Sequence, residues 1–255
     1  MPQAPRPLPA TLSLIVLACM ATACAKENTL MEKLEVPKTN VRKVFPDARV
    51  AELAAAAANS DSARVHQLAA GVDLDVHGDK NVTLLQWAVL NRSQAGLMAL
   101  LKEGADPAEQ GMDGYTVMHT AAMVDDPAYL DTLLKSGADA NVPDAEGQPP
   151  ISAAITAKRD QQFRALLSAH ADPNRADSIG DTPLHVAGLA NDAGYALALL
   201  EAGANPSARN VQGVNFQKYL FQTRSELLNE QARREREAVK AWLVAHGVAV
   251  ESDPR

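Results

Sequence analysis

Short apolar blocks recur along most of this chain at a constant spacing. Within one block, Leu197, Leu200 and Ala204 have the spacing that places apolar side chains on one face of a helix. Leucine pairs recur 33 residues apart, at Leu100–Leu101, Leu133–Leu134, Leu166–Leu167 and Leu199–Leu200. A constant period of this length predicts a stack of small helical units, none of which can bury its apolar face alone.

Helix-start and helix-stop signals follow the same period. Thr182 can cap a helix and Pro183 suits the first turn of that helix. Gly203 is expected to end the following helix in the left-handed conformation, and His170 stands where the period would place another such glycine. Each unit is therefore predicted to contain two helices followed by a turn.

The best-formed unit resembles the ankyrin repeat. The run "TPLHVAG" from Thr182 to Gly188 is close to the signature of that family, and "LLEAGANPSARNVQG" from Leu199 to Gly213 matches its second half. The resemblance implies an all-α solenoid of helix-turn-helix units with short connecting turns. We expect about six units over residues 47–251, the first and last divergent, followed by a tail at 252–255.

The N-terminus has the pattern of a bacterial export signal. Arg6 precedes an apolar run from Ala10 to Ala23, which is too short to span a bilayer comfortably. The sequences "VLAC" ending at Cys19 and "ATAC" ending at Cys24 both resemble the lipobox of bacterial lipoproteins, in which the cysteine is lipidated. We favour Cys24, with residues 1–24 as signal peptide and residues 25–46 as a polar tether.

Two alternatives stay open for this segment. Ordinary signal peptidase could cut after Ala23 or Ala25 and release a soluble periplasmic protein, or the segment could remain as a membrane anchor. In the lipoprotein interpretation, an aspartate directly after the lipidated cysteine would suggest retention in the inner membrane. The residue after Cys24 is Ala25. The resemblance then implies the inner leaflet of the outer membrane, with the domain facing the periplasm.

Composition and motifs argue against several classes of function. The net charge is −7 without a basic cluster, so nucleic acid is not expected as a partner. We find no phosphate loop, metal-ligand spacing or nucleophile elbow, and therefore predict no metal, no cofactor and no enzyme activity. The resemblance implies that His119 and His185 form structural hydrogen bonds between repeats.

The resemblance also implies where a partner protein would bind, since ankyrin-like stacks bind proteins through turn tips and the exposed face of each first helix. Large side chains at such positions favour an interaction site. The predicted partner-binding residues are Trp87, Leu90, Tyr115, Met123, Val124, Leu189 and Tyr219. For Trp87 and Met123 the alternative is partial burial between neighbouring repeats.

The C-terminal unit departs from the repeat. The run "QTRSELLNEQARREREAVKAWL" predicts a charged helix with an apolar side made of Leu227, Leu228, Val239, Trp242 and Leu243. End repeats need a polar outer face, so we interpret this helix as a cap, with a partner-contacting extension as the alternative.

The function predicted from these observations is protein binding at the membrane. The first hypothesis is a lipid-anchored binding module that faces the periplasm, for example an immunity protein that neutralises a secreted toxin such as a lipase. The alternatives are an accessory protein that supports a periplasmic enzyme in oxidative defence, and a general envelope scaffold. The membrane is expected to be contacted only through the N-terminal lipid.

Overall fold

The computed structural model describes residues 40–251, so the predicted signal peptide, Cys19, Cys24 and the tail at 252–255 lie outside the described residues. In chain order the helices are α1 (Val41–Val44), α2 (Ala48–Ala58), α3 (Ser62–Ala69), α4 (Leu84–Leu90), α5 (Gln94–Glu103), α6 (Val117–Met123), α7 (Ala128–Lys135), α8 (Pro150–Thr156), α9 (Asp160–Ser168), α10 (Pro183–Leu189), α11 (Ala193–Glu201), α12 (Phe216–Leu220) and α13 (Glu230–Ala245). Within this range the only strand-like pairing is an isolated bridge between His77 and Thr83. The all-α prediction is confirmed.

Helices α2 to α13 form six consecutive pairs, and each pair packs on the next. The first helices, α2, α4, α6, α8, α10 and α12, form one layer, and the second helices form the other. Small residues set the spacing between pairs. A Cβ atom on Gly96 would lie 2.0 Å from the Ala57 carbonyl oxygen, and one on Gly188 would lie 2.6 Å from that of Phe216.

The predicted start and stop signals are used as expected. Thr182 forms a capping box with His185, and Pro183 is the first residue of α10. Gly203 has a φ of 92°, the left-handed conformation that ends the turn after α11. His170 takes the same role at a φ of 61°, a conformation that costs a residue with a Cβ atom up to about 1 kcal/mol relative to glycine.

Buried side chains join each unit to the next. The Nε2 atom of His119 lies 3.0 Å from the carbonyl oxygen of Gln148 in the following unit, and the Nδ1 atom lies 2.9 Å from the Thr116 hydroxyl. A carbonyl only accepts, so Nε2 carries the hydrogen and Nδ1 accepts from Thr116. His185 bonds the Val214 carbonyl at 3.1 Å in the same way. Both histidines therefore have the predicted structural role.

Gln86 performs this role one unit earlier. Its Nε2 atom donates to the Tyr115 carbonyl at 2.9 Å, while its Oε1 atom accepts from the backbone nitrogens of Thr83 and Met112. Ser152 occupies the equivalent position in the fourth unit and is fully buried. Its hydroxyl has no hydrogen-bond partner among the described residues. The fourth unit therefore lacks the side-chain link that the second, third and fifth units have.

We expect the double variant Pro149→Thr/Ser152→His to raise the free energy of unfolding by about 1–2 kcal/mol, because it restores both the capping hydroxyl and the link to the next unit. Urea denaturation followed by circular dichroism measures this change. Ser152→Ala is the matched control and is expected to be nearly neutral, because it removes a buried hydroxyl that has no partner. A double variant less stable than the wild type would contradict this interpretation.

The fold begins before the predicted end of the tether. Residues Val41–Val44 form α1, and the Phe45 side chain is only 1% exposed. The Phe45 ring packs edge-on against Trp87, with 5.8 Å between ring centroids. The prediction of a tether as far as residue 46 is therefore wrong for residues 41–45, which cover the apolar end of the stack.

The last unit is closed by α13 and by the chain that follows it. Gln217 donates to the Ala249 carbonyl and accepts from the Glu251 backbone nitrogen, so residues after α13 take the place of a further repeat. Val239 and Leu243 are buried as predicted, whereas Leu227 is 77% exposed and lies outside α13.

An arginine is buried where the sequence predicted a solvated helix. Arg236 is 1% exposed, and its guanidinium donates to the Thr223 carbonyl and to the Asn191 side chain. The same group lies 5.8 Å from the centre of the Phe221 ring. The contact with Asn191 docks the last helix on the fifth unit, which is consistent with its interpretation as a cap.

Candidate protein-binding surface

Five hairpin turns connect the six helix pairs, and we call them fingers 1 to 5. They comprise residues 77–83, 110–116, 143–149, 176–182 and 209–215. Each is closed by one backbone hydrogen bond of the same kind, such as Gly111 N to Tyr115 O at 2.8 Å and Asn210 N to Val214 O at 3.1 Å. The repeated geometry places the five fingers in one row along the stack.

Fingers 2 to 5 are joined to each other by backbone hydrogen bonds. Ala145 donates to the Gly114 carbonyl at 3.0 Å, Ser178 to the Glu146 carbonyl at 2.9 Å, and Val211 to the Ile179 carbonyl at 2.9 Å. Fingers 3 and 4 are bonded on both sides and fingers 2 and 5 on one side, and a backbone held in this way loses little further entropy when a partner binds. The row therefore presents side chains from a preorganised surface.

Carboxylates and amides at the base of fingers 3 to 5 hold the turns. The Oδ1 atom of Asp144 accepts from the Glu146 and Gln148 backbone nitrogens, and Asp177 and Asn210 repeat this pattern. Asp144 is only 5% exposed, so it is a structural group rather than a solvated surface charge. Burial raises the pKa of Asp144 and of Asp181.

The structure places Trp87 in the core, which contradicts its prediction as a surface contact residue. The side chain is 5% exposed, and its Nε1 atom donates to the Ala54 carbonyl at 3.1 Å. Phe45 covers the ring. The alternative interpretation, burial between neighbouring units, is correct, and Trp87 is not available to a partner.

The other six predicted residues are partly buried: Leu90, Tyr115, Met123, Val124, Leu189 and Tyr219. They belong to the first helices, the fingers and the turns that follow, and they are distributed over four units. Their part in binding stays a prediction.

Two of these residues have structural contacts as well. The Tyr115 ring stacks on His119 at 5.7 Å between centroids. The Tyr219 hydroxyl accepts a hydrogen bond from Asn210 at 3.0 Å, and burial raises the pKa of this hydroxyl. Tyr219 is thereby fixed at the base of finger 5.

Sequence reasoning missed the most exposed apolar residues of the finger row. Ile179 is 49% exposed at finger 4, and Val211 is 73% exposed at finger 5. A signal was available, because Ile179 lies one position and Val211 two positions before a periodic glycine, where the equivalent residues of the other fingers are mostly charged, polar or small. The predicted set contains one finger residue, Tyr115, and no residue of a finger tip.

Metal-binding clusters and membrane-spanning helices are both absent from residues 40–251. No group of three or more histidine, cysteine or acidic side chains in this range is arranged to hold a metal ion. No helix in the same range has both the length and the apolar character needed to cross a bilayer.

Comparison with known proteins identifies the class. A family model described as ankyrin repeats, in three copies, matches residues 53–144 and 124–210, which together are more than half of the chain. The chain belongs to the ankyrin-repeat family. This fold is a protein-interaction module that is generally not enzymatic.

The chain is also similar to Protein PhlB of Serratia liquefaciens, which is 48% identical over 56 residues. The match covers 22% of this chain and 25% of PhlB, so the chain spans about a quarter of the length of that relative.

Proposed function

We propose that the protein is a lipid-anchored module that faces the periplasm and binds one partner protein along its row of fingers. The observation that carries this proposal is the hydrogen-bonded row itself, which holds exposed apolar side chains at fingers 4 and 5. Solvent-exposed apolar residues on a rigid frame favour a protein partner over solvent.

The position in the cell is proposed from the N-terminal pattern. Cys24 would carry the lipid, and Ala25 in place of aspartate after it favours the inner leaflet of the outer membrane. The polar segment that follows would tether the domain in the periplasm. Radioactive palmitate supplied to cells that produce the full-length protein tests this position. We expect Cys24→Ser to lose the label and Cys19→Ser to keep it. The reverse result moves the lipid to Cys19, and an unlabelled wild type favours cleavage by ordinary signal peptidase.

The specific version that we favour is an immunity protein against a secreted toxin such as a lipase. A membrane-tethered binder stands where a toxin that attacks the membrane would act, and a rigid finger row can cover the toxin's active site. The likeness to PhlB concerns 56 residues and does not by itself choose a partner.

Loss of the protein tests this version. Cells that lack the gene but contain the cognate toxin should lose viability, and the full-length protein supplied in trans should restore it. Unchanged viability with the toxin present would contradict the immunity role. A fall in the activity of a periplasmic enzyme would instead favour the accessory role, and several weak partners in place of one would favour a scaffold.

A further inference from the structure

The tips of the five fingers change in character along the stack. Each tip consists of the two residues before the periodic glycine or, in finger 1, before Asn81. From finger 1 to finger 5 the tips are Asp79–Lys80, Met112–Asp113, Ala145–Glu146, Ser178–Ile179 and Val211–Gln212. The row therefore runs from mixed charge, through acidic tips, to apolar tips.

The backbone holds the apolar tips of fingers 4 and 5 in place, and the fold does not require apolar residues at these positions. Ile179 and Val211 are 49% and 73% exposed and are joined by the backbone bond from Val211 N to Ile179 O. The position of Ile179 is filled by Gln212 in finger 5, and that of Val211 by Ser178 in finger 4. Polar residues thus occupy these positions in neighbouring fingers of the same backbone.

The acidic tips lie beside this apolar pair. Asp113 and Glu146 are exposed, and neither forms an ion pair within the described residues. In finger 1 the charges of Asp79 and Lys80 offset each other. Finger 5 carries Arg209 at its base, where the guanidinium donates to the Gly213 carbonyl. A cation is therefore favoured over fingers 2 and 3 and disfavoured over finger 5.

We infer that the row binds an extended segment of the partner protein that carries two apolar side chains over fingers 4 and 5 and two Lys or Arg side chains over fingers 3 and 2. Packed helices lie about 8–10 Å apart, and an extended chain rises about 3.3 Å per residue. Neighbouring fingers are therefore about three residues of the bound segment apart. This inference rests on the proposed function, because it specifies the chemistry of the partner.

The probe for this inference is a pair of fluorescent synthetic peptides in which two leucines and then two arginines occupy every third position, with serines between them. One peptide has this order and the other the reverse, since either chain direction could bind. Fluorescence anisotropy with the full-length protein should detect binding of one of the two. A peptide with glutamate in place of arginine should bind at least about tenfold more weakly.

The substitutions at Ile179 and Val211 introduce the polar residues that the neighbouring finger carries at the same position. Ile179→Gln/Val211→Ser should weaken binding of the leucine–arginine peptide about tenfold or more, because it removes the apolar contact. Asp113→Asn/Glu146→Gln should weaken it severalfold and reduce its dependence on salt concentration, because exposed charges are screened by salt. The matched control, Met98→Ser/Leu227→Ser, removes two apolar side chains of similar exposure away from the fingers and should leave affinity unchanged.

Equal affinity of the finger variants and the wild type would overturn the inference, and so would a failure of both peptides to bind. The immunity role is tested separately by loss of the gene. Protection from the toxin that persists in the finger variants would leave the immunity role intact and show that the finger tips are not the contact.

Discussion

Replacing Trp87 with alanine is expected to lower the free energy of unfolding by about 3–5 kcal/mol. The side chain is 5% exposed, and its removal leaves a cavity between Phe45 and the first helices. It also leaves the Ala54 carbonyl without the indole N–H that it accepts. Urea denaturation measures the loss when unfolding is monitored by the far-ultraviolet circular dichroism of the backbone, because the variant removes a tryptophan.

Trp87→Phe is the matched control, because it keeps an aromatic ring against Phe45 and removes the N–H donor. Its expected cost is smaller, about 1–3 kcal/mol. Phe45→Ala should also destabilise the protein, and the effects of the two alanine variants should not add, since the rings touch each other. A Trp87→Ala protein that unfolds like the wild type but binds its partner poorly would show that Trp87 is a surface residue after all.

Acidification is expected to destabilise the protein through His119. Burial lowers the pKa of this ring from 6.5 to about 4. The folded state therefore binds the proton less tightly than the unfolded chain. The corresponding stability is fully present above pH 6.5 and is lost as the pH falls towards 4, by roughly 3 kcal/mol in total.

The difference between the wild type and His119→Gln isolates this effect. Gln86 shows that glutamine can occupy this position and bond the carbonyl of the next unit. The comparison with a variant is needed because Asp144 and Asp181 act in the opposite direction. Burial raises their pKa, so the folded state binds their protons more tightly and gains stability as the pH falls. The free energy of unfolding of His119→Gln should fall less than that of the wild type between pH 7 and pH 4. Parallel losses in both proteins would contradict the role given to the buried ring.

The regular part of the fold could be predicted because its determinants are local and repeat. Thr182, Pro183 and Gly203 set the ends of helices through their own backbone preferences, and His185 bonds a carbonyl in the next unit. Each of these roles recurs at a fixed distance along the chain. A period in the sequence is therefore sufficient to predict both the unit and the way in which units join.

The ends of the stack could not be predicted in this way. The burial of Trp87 depends on Phe45, which lies in a segment without a repeat pattern. The burial of Arg236 depends on Asn191 and Thr223. These residues come close to Arg236 because of the way in which α13 packs on the units before it. In both cases residues at an end of the stack are involved, where contacts that a neighbouring repeat would make are made by irregular chain.

The surface could be predicted only in outline. Six of the seven predicted contact residues are partly buried. Ile179 and Val211 stand out because a position that tolerates polar residues carries an exposed aliphatic one. This contrast between equivalent positions is visible in the sequence once the fingers are aligned.

The central claim is that a partner protein contacts the row of fingers, and photocross-linking in intact cells tests it most directly. A benzoyl-phenylalanine side chain would replace Val211 at the tip of finger 5 in one full-length variant and Met98 on α5 in the other. Both native residues are more than half exposed, at 73% and 55%. We expect one specific cross-linked protein from position 211 and none from position 98. A partner cross-linked from position 98 alone would contradict the claim and place the binding surface on the second helices.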